Sequence, residues 1–277
     1  MCLLLATAAR SETIYDLLAP PPEHRLWLEY NRGLEDSQSF YGELDLAIAN
    51  GNRLLLGAGQ SDIQGLTRRV DLYSYTAGLS TPYGEPFEAG MRYEFWGNTS
   101  ELWTHTLSVP LAWNTPDWFL GLRPGYTRIY AYLRRFGTPI RQVETASQFV
   151  TGHLGYDGLP RWSFSLYGAI HHYDTDLSRF RNPLARYLFS DVTLVLGYGF
   201  PRRRLGAEME YDFDAWRIGA GYEQTVSEVD ASRLDVTTLK TAFRLHDRLT
   251  LHVQGGHVTS ETGPAYNFLQ LASQVLF

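Results

Sequence analysis

Alternation of apolar and polar residues along most of the chain is the feature that most restricts its fold. In Phe87–Trp96, apolar residues occupy every second position, and charged residues such as Glu88 and Glu94 lie between them. The segment Leu205–Phe213 repeats the pattern. Successive side chains of a β-strand point to opposite faces, so each segment predicts a strand with one apolar and one polar face. No stretch of comparable length has a helical period, and the sequence from residue 24 onward therefore predicts an all-β fold.

Composition agrees with such strands and excludes several other classes of protein. The 277 residues include 18 Tyr, 14 Phe, 7 Trp and 25 Gly, 44% are hydrophobic, and the mean hydropathy is -0.25. The hydrophobic share is too high for a disordered chain, and no run approaches the roughly 18 uncharged apolar residues of a spanning helix. The net charge of -6 makes a nucleic-acid partner unexpected. Beyond Cys2 the chain can form neither a disulfide nor a cysteine-based metal site, and no cofactor or metal is expected.

The N-terminal segment differs from the rest of the chain. Residues 1–9 form a short apolar stretch that ends in small residues, and Ala6-Thr7-Ala8 matches a signal-peptidase site, although a positive n-region is missing. Residues 10–23 end in Pro20-Pro21-Pro22, which is incompatible with a continuing helix. We therefore predict a clipped signal peptide over 1–9, a periplasmic tether over 10–23 and a β-barrel over 24–277.

Turn signals and aromatic residues recur together along the barrel segment. Short turns such as Asn50–Asn52 alternate with longer polar connections, a pattern typical of bacterial outer-membrane barrels. Aromatic rings favour the headgroup level of a bilayer, so aromatic residues beside the short turns predict a girdle at one membrane interface. The girdle residues are Trp113, Trp118, Tyr156, Trp162, Phe213 and Trp216.

The last twelve residues carry a resemblance to a known class. Tyr266–Phe277 resembles the closing strand of bacterial outer-membrane β-barrel proteins, whose assembly signal ends in an aromatic residue. Gln270, Val275 and Phe277 occupy matching positions, and Ala272 replaces the usual glycine. The resemblance is to the class and to no particular family. It implies a location in the bacterial outer membrane, contact with the lipid bilayer and recognition by the barrel assembly machinery; no pattern specifies the oligomeric state.

The number of strands follows from counting and parity. Fifteen segments alternate clearly, but a single-chain bacterial barrel with both termini in the periplasm needs an even number. The inconsistency lies between residues 161 and 204, where one segment is 187–199. A weak additional strand at about 174–181 would give an antiparallel up-and-down barrel of sixteen strands, which we favour, and would place Pro201–Arg204 in an outer loop. The alternative is fourteen strands, with one of the fifteen segments not a strand.

The polar faces predict what the barrel can do. A charge on the lipid face is costly, so charged residues of the strands are expected to line the lumen. These are Glu43, Asp45, Glu88, Arg92, Glu94, Arg123, Glu208, Glu210, Asp212, Arg217, Glu223, Lys240 and Arg244. Wide barrels with polar interiors enclose aqueous channels, so we expect a passive, porin-like channel for small polar or charged solutes. A closed lumen in which these charges pair across strands is the alternative, as in a non-conducting partner in export of an extracellular polymer.

An enzyme is the least favoured interpretation. Outer-membrane lipid esterases resemble one another in a His-x-Ser motif, and here the nearest spacings are His105 to Ser108 and His257 to Ser260. Residues three apart on a strand lie on opposite faces, which disfavours a catalytic dyad, and no catalytic residue is assigned. His171 and His172 are possible metal ligands by type, but neighbours on a strand also point apart, and a solvated loop is the better interpretation.

Overall fold

The computed structural model describes residues 24–33, 37–64, 69–82, 86–135, 138–177, 200–263 and 265–277. The strands are β1 Arg25–Arg32, β2 Gln38–Ala47, β3 Arg53–Gln64, β4 Arg69–Pro82, β5 Phe87–Gly97, β6 Leu102–Ser108, β7 Leu111–Asn114, β8 Trp118–Arg135, β9 Thr138–Leu159, β10 Trp162–Tyr173, β11 Pro201–Asp212, β12 Trp216–Ser227, β13 Arg233–His246, β14 Leu249–Ser260 and β15 Tyr266–Leu276. Within the described ranges, no helix has the length and apolar character needed to cross a membrane. The expected signal peptide and tether, over residues 1–23, lie outside them.

The strands form one antiparallel sheet that closes on itself. Consecutive strands are neighbours, and β1 pairs with β15, where Arg25 is opposite Leu276 and Arg32 is opposite Leu269. Closure leaves no free strand edge, so the backbone hydrogen bonds of the wall are satisfied within the sheet. The fold is an up-and-down β-barrel, as the alternation predicted.

The barrel wall has fourteen strand positions, although fifteen segments are present. Both β6 and β7 lie between β5 and β8 in one continuous register, with Ser108 opposite Arg92 and Leu111 opposite Ala89. Pro110 lies between the two segments and has no N–H to donate to the sheet. The favoured count of sixteen is therefore wrong, and the alternative of fourteen is supported.

The region that misled the count lies between β10 and β11. These strands pair directly, with Trp162 opposite Tyr211 and Ile170 opposite Arg203, so no strand lies between them in the wall. The predicted strand 187–199 is outside the described residues. Of the weak strand at 174–181, the described part, 174–177, is not a strand. The segment Pro201–Arg204, expected in an outer loop, is instead the start of β11.

Each strand has one enclosed and one exposed face. In β12, Trp216, Ile218 and Ala220 are exposed, whereas Gly219 is buried and Arg217 is largely enclosed. The same alternation around the barrel places large apolar side chains on the outer surface, including Met91, which is 58% exposed in the middle of β5. The outer surface is therefore an apolar band, and the inner face forms the wall of the lumen.

The two ends of the barrel differ. The short connections lie at one end of the barrel, together with the start of β1 and the end of β15; we call it the turn end. The opposite end is called the loop end, and its longest connection runs from β10 to β11. At the turn end, β2 and β3 are joined through Asn50 (φ 62°) and Gly51 (φ 76°), the left-handed conformations that a tight hairpin turn requires. The predicted Asn-Gly turn is thus present.

An apolar cluster fills part of the loop end. Inward side chains of β4, β6, β8 and β10 pack there against residues from two connections. Leu102 is 0% exposed, and Leu177 and Val229, which lie outside the strands, are 2% and 1% exposed. The Glu228 N–H donates to the Phe200 carbonyl at 2.9 Å, which fixes the β12–β13 turn beside the start of β11. The cluster consists of Leu72, Leu102, Ile129, Ala131, Tyr173, Leu177 and Val229.

Candidate functional site

A row of mostly polar residues crosses seven neighbouring strands on the inner wall. Each residue of the row is directly opposite the next, from β10 through β15 to β1. The row is Ser163, Glu210, Gly219, Lys240, Gln254, Gln270 and Asn31. Register alone therefore places Lys240, the only lysine of the chain, between a glycine and a pair of glutamines.

Lys240 is the centre of a charged cluster. Its Nζ lies 2.6 Å from Glu208 Oε2 and 2.5 Å from Glu210 Oε1, and all three side chains are about nine-tenths enclosed. Arg217 extends the cluster, at 3.6 Å from Glu210 and 3.5 Å from Asp212. Opposite charges this close are needed to offset the cost of removing each of them from water.

Two glycines make this cluster possible. Glu208 and Glu210 lie on β11 and Lys240 lies on β13, so their side chains must cross β12. A Cβ atom at Gly219 would be 2.8 Å from Glu210 Cγ and 3.0 Å from Lys240 Cε, and one at Gly221 would be 3.1 Å from Glu208 Cγ. The space left by the missing side chains is where the ion pairs lie.

The other predicted lumen charges form smaller local pairs. Asp45 accepts from both Arg25, at 3.3 Å, and Arg53, at 2.9 Å. Glu94 pairs with Arg92 at 3.0 Å and lies 3.9 Å from Arg123.

The remaining predicted charges have two kinds of surroundings. Glu43 accepts a hydrogen bond from Tyr41 at 3.0 Å, and Glu223 accepts one from Tyr167 at 3.0 Å. Glu88 and Arg244 form no ion pair with any described residue. The inner wall thus carries charges of both signs, most of them paired with an opposite charge on the same or a nearby strand.

Several residues of this network were not predicted from the sequence. Arg204 pairs with Glu223 from inside β11, not from an outer loop. Tyr41 crosses β3 over Gly57 to reach Thr76 at 3.4 Å, and Tyr167 crosses β11 over Gly206. Glu29 accepts from the Trp27 indole at 3.1 Å and from Asn31 at 2.6 Å. Alternation within β1 alone could have placed Trp27 and Glu29 on one face. The contacts of Tyr41, Tyr167 and Arg204 join different strands and therefore depend on register.

A recess opens into the barrel interior beside the charged cluster. Its volume is about 540 Å³, including the part open to solvent, and it is lined from β11 through β15 to β1. Small residues, Gly219, Ala242 and Ala272, form part of the lining. The larger side chains around it are Trp27, Glu210, Arg217, Lys240, His252, Gln254 and Gln270.

The predicted girdle residues lie at the turn end, where four of them contact one another in pairs. Trp118 packs on Tyr156 with ring centroids 4.5 Å apart, and Phe213 stacks on Trp216 at 4.2 Å. Trp162 packs on Tyr211 at 4.8 Å. Trp113 lies opposite Phe87 and Leu120.

The C-terminal strand closes the barrel. Phe277 and His24 exchange backbone hydrogen bonds of 2.9 and 3.0 Å, and their rings are 5.4 Å apart. By strand alternation Val275 and Phe277 belong to the outer face and Gln270 to the inner row. Ala272 lies opposite Glu29, at the position where the class usually has glycine.

The histidines considered for catalysis or metal binding are dispersed. His105 is on the outer face, where it shares a 2.7 Å hydrogen bond with Tyr93, whereas Ser108 is on the inner face and buried. His257 shares a 2.8 Å hydrogen bond with Asn267. His171 is mostly enclosed and His172 is exposed. In the part of the chain that the structure describes, no group of three or more His, Cys, Asp or Glu side chains could hold a metal ion.

Comparison with known proteins identifies the fold class. The chain is similar to the CymD monoaromatic hydrocarbon channel, with a TM-score of 0.59 at 9% identity, over 94% of this chain and 92% of that one. It is also similar to a loop-deletion mutant of OmpT, an outer membrane protein of Vibrio cholerae, with a TM-score of 0.53 at 8% identity, over 92% and 97% of the two chains. The fold is that of the bacterial outer-membrane β-barrels. The class predicted from alternation and the C-terminal segment is therefore confirmed. No family model matches the sequence, and no curated protein does.

Proposed function

We propose that this protein is an outer-membrane channel through which small polar solutes pass passively. The observation that carries the proposal is the contrast between the faces of the closed barrel, which is apolar outside and lined by charges and amides inside. An apolar band matches the hydrocarbon core of a bilayer, and a polar interior suits water-filled passage. In this proposal the turn end faces the periplasm, and the C-terminal strand with Phe277 is recognised by the assembly machinery.

The inner wall supports polar rather than apolar cargo. The name of CymD refers to a monoaromatic hydrocarbon, but the recess in this barrel is lined by Glu210, Arg217, Lys240 and two glutamines. An apolar solute would displace water from these groups without replacing its hydrogen bonds, which is unfavourable. Polar solutes can exchange hydrogen bonds with the wall as they move.

Planar bilayer recording tests the proposal. The refolded protein is expected to give discrete conductance steps, and a salt gradient should give a small reversal potential, because acidic and basic residues of the wall nearly balance. The double variant Glu208→Gln/Glu210→Gln removes two negative charges from the wall, so its selectivity should shift toward anions. Asp71→Asn/Glu144→Gln is the matched control, since both residues are exposed on the outer face near the loop end.

Two results would contradict the channel. One is a silent bilayer with protein whose β-structure and heat-modifiable mobility on gels show a folded barrel. The other is an equal shift of selectivity in both double variants.

The loop-end apolar cluster favours a second candidate, a barrel that does not conduct at rest. Leu177 and Val229 pack with Leu102 in the interior, so they occupy part of the passage. A non-conducting partner in polymer export would open only with its other components. Conductance that appears in Val229→Asp, but not in the wild type, would support this candidate, because a buried carboxylate disrupts apolar packing.

A further inference from the structure

The recess between β11 and β1 contains two side chains whose hydrogen-bonding groups are unused. Gln254 on β14 and Gln270 on β15 are directly opposite each other, which brings their side chains to roughly 5 Å at Cβ. Neither amide forms a hydrogen bond with another described residue. Each amide offers two N–H donors and one carbonyl acceptor. The pair therefore presents both kinds of group, side by side, to whatever enters the recess.

The charged groups of the recess are already committed to one another. Lys240 contacts two carboxylates, and Arg217 contacts Glu210 and Asp212. A charged solute would lose its own hydration and would have to compete with these ion pairs. A neutral solute can bind to the unused amides and leave the pairs intact.

An aromatic side chain completes the lining. The Trp27 indole lies at the β1 side of the recess, and its ring centroid is 5.0 Å from that of His252. Its N–H donates to Glu29 at 3.1 Å, which holds the ring in place. Trp27 is 6% exposed, so only a small part of the ring meets the recess. This apolar part beside the paired amides suits a solute that has both C–H and hydroxyl groups, because each kind of group meets a matching one.

We propose that this recess is a binding site for neutral saccharides that pass through the barrel. Hydroxyl groups are both donors and acceptors, so a saccharide can engage Gln254 and Gln270 together. The assignment of transported saccharides rests on the channel proposed above, whereas binding at the recess does not require conduction.

Calorimetric titration of the refolded protein in detergent tests the site without measuring current. Glucose and sucrose are expected to bind, and glucosamine and glucuronate, which have similar size but carry a charge, should bind at least tenfold more weakly. Gln254→Ala and Gln254→Ala/Gln270→Ala should weaken sucrose binding at least tenfold. Gln60→Ala/Gln148→Ala is the matched control, because both glutamines are exposed on the outer face, and it should bind sucrose as the wild type does.

Gln254→Ala alone keeps the binding test decisive if Gln270 is also needed for assembly of the barrel. The saccharide site is refuted if charged and neutral sugars bind equally, if sucrose does not bind to folded protein, or if Gln254→Ala binds sucrose as tightly as the wild type. Sucrose binding with a silent bilayer would contradict the channel and keep the site. Conductance steps without sucrose binding would contradict the site and keep the channel.

Discussion

Replacing Lys240 by methionine tests whether the ion pairs over β12 stabilise the barrel. The substitution keeps most of the side-chain length and removes the cation that contacts Glu208 and Glu210 at 2.6 and 2.5 Å. At an effective dielectric constant near 20, each such contact amounts to about 6 kcal/mol of Coulomb attraction before desolvation is subtracted. Glu210 keeps Arg217 at 3.6 Å, so the main effect is on Glu208.

The expected loss of unfolding free energy in Lys240→Met is about 3–5 kcal/mol at neutral pH, because an enclosed carboxylate is left without its cation. Glu208→Gln alone should cost less, since Lys240 still pairs with Glu210. Lys240→Met/Glu208→Gln should recover at least half of the loss.

Urea unfolding in lipid vesicles, followed by tryptophan fluorescence, measures these differences as a double-mutant cycle. The apolar cluster at the loop end is separate from the charged cluster around Lys240, so Leu102→Ala serves as a control for general destabilisation. Its loss should not be recovered by Glu208→Gln. A loss below about 1 kcal/mol in Lys240→Met, or a double variant no more stable than the single one, would refute the ion-pair argument.

Two other substitutions and one deletion test the inner wall, the lipid face and the closing strand. Gly219→Val should cost about 1–3 kcal/mol in the same urea assay, because the new side chain overlaps Glu210 and Lys240, whereas Gly255→Val, with no atom closer than 3.9 Å to the new Cβ, should be tolerated. Met91→Arg should cost about 2–4 kcal/mol by placing a charge on the outer face in mid-bilayer. Gln142→Arg, on the outer face near the loop-end start of β9, should cost much less, and equal costs would contradict the proposed lipid face. Removal of Phe277 should lower the amount of folded barrel in outer-membrane fractions while in vitro refolding persists, and normal amounts in cells would contradict the assembly signal.

The number of strands shows where sequence reasoning was insufficient. Alternation located all fourteen positions of the wall, because the two-residue period is present within each strand. It also marked residues 187–199, and no local pattern could show that β10 pairs directly with β11. Fifteen segments is an odd number, so the parity rule favoured a sixteenth strand. The sequence could not show instead that one of the fifteen is not in the wall, because it does not say which strands are neighbours. Pro201–Arg204 was assigned to a loop for the same reason.

The inner wall shows the same division at the level of side chains. The period placed Glu208, Glu210 and Lys240 among the lumen charges, but their separation of about thirty positions in the chain does not indicate that they are in contact. Their contact depends on the register that puts Gly219 between β11 and β13. The unpaired amides of Gln254 and Gln270 were equally invisible, since each is an ordinary polar residue in its own strand.

The sequence alone determined the properties that arise within one strand or one turn. These are the all-β class, the strands with one apolar and one polar face, the Asn50-Gly51 hairpin turn and the closing segment that ends in Phe277. Only the tertiary structure decided the fourteen positions, the ion pairs across β12, the loop-end cluster and the recess. The physical reason is that side-chain alternation is a property of the local backbone, whereas strand neighbours and register join residues that are distant in the chain.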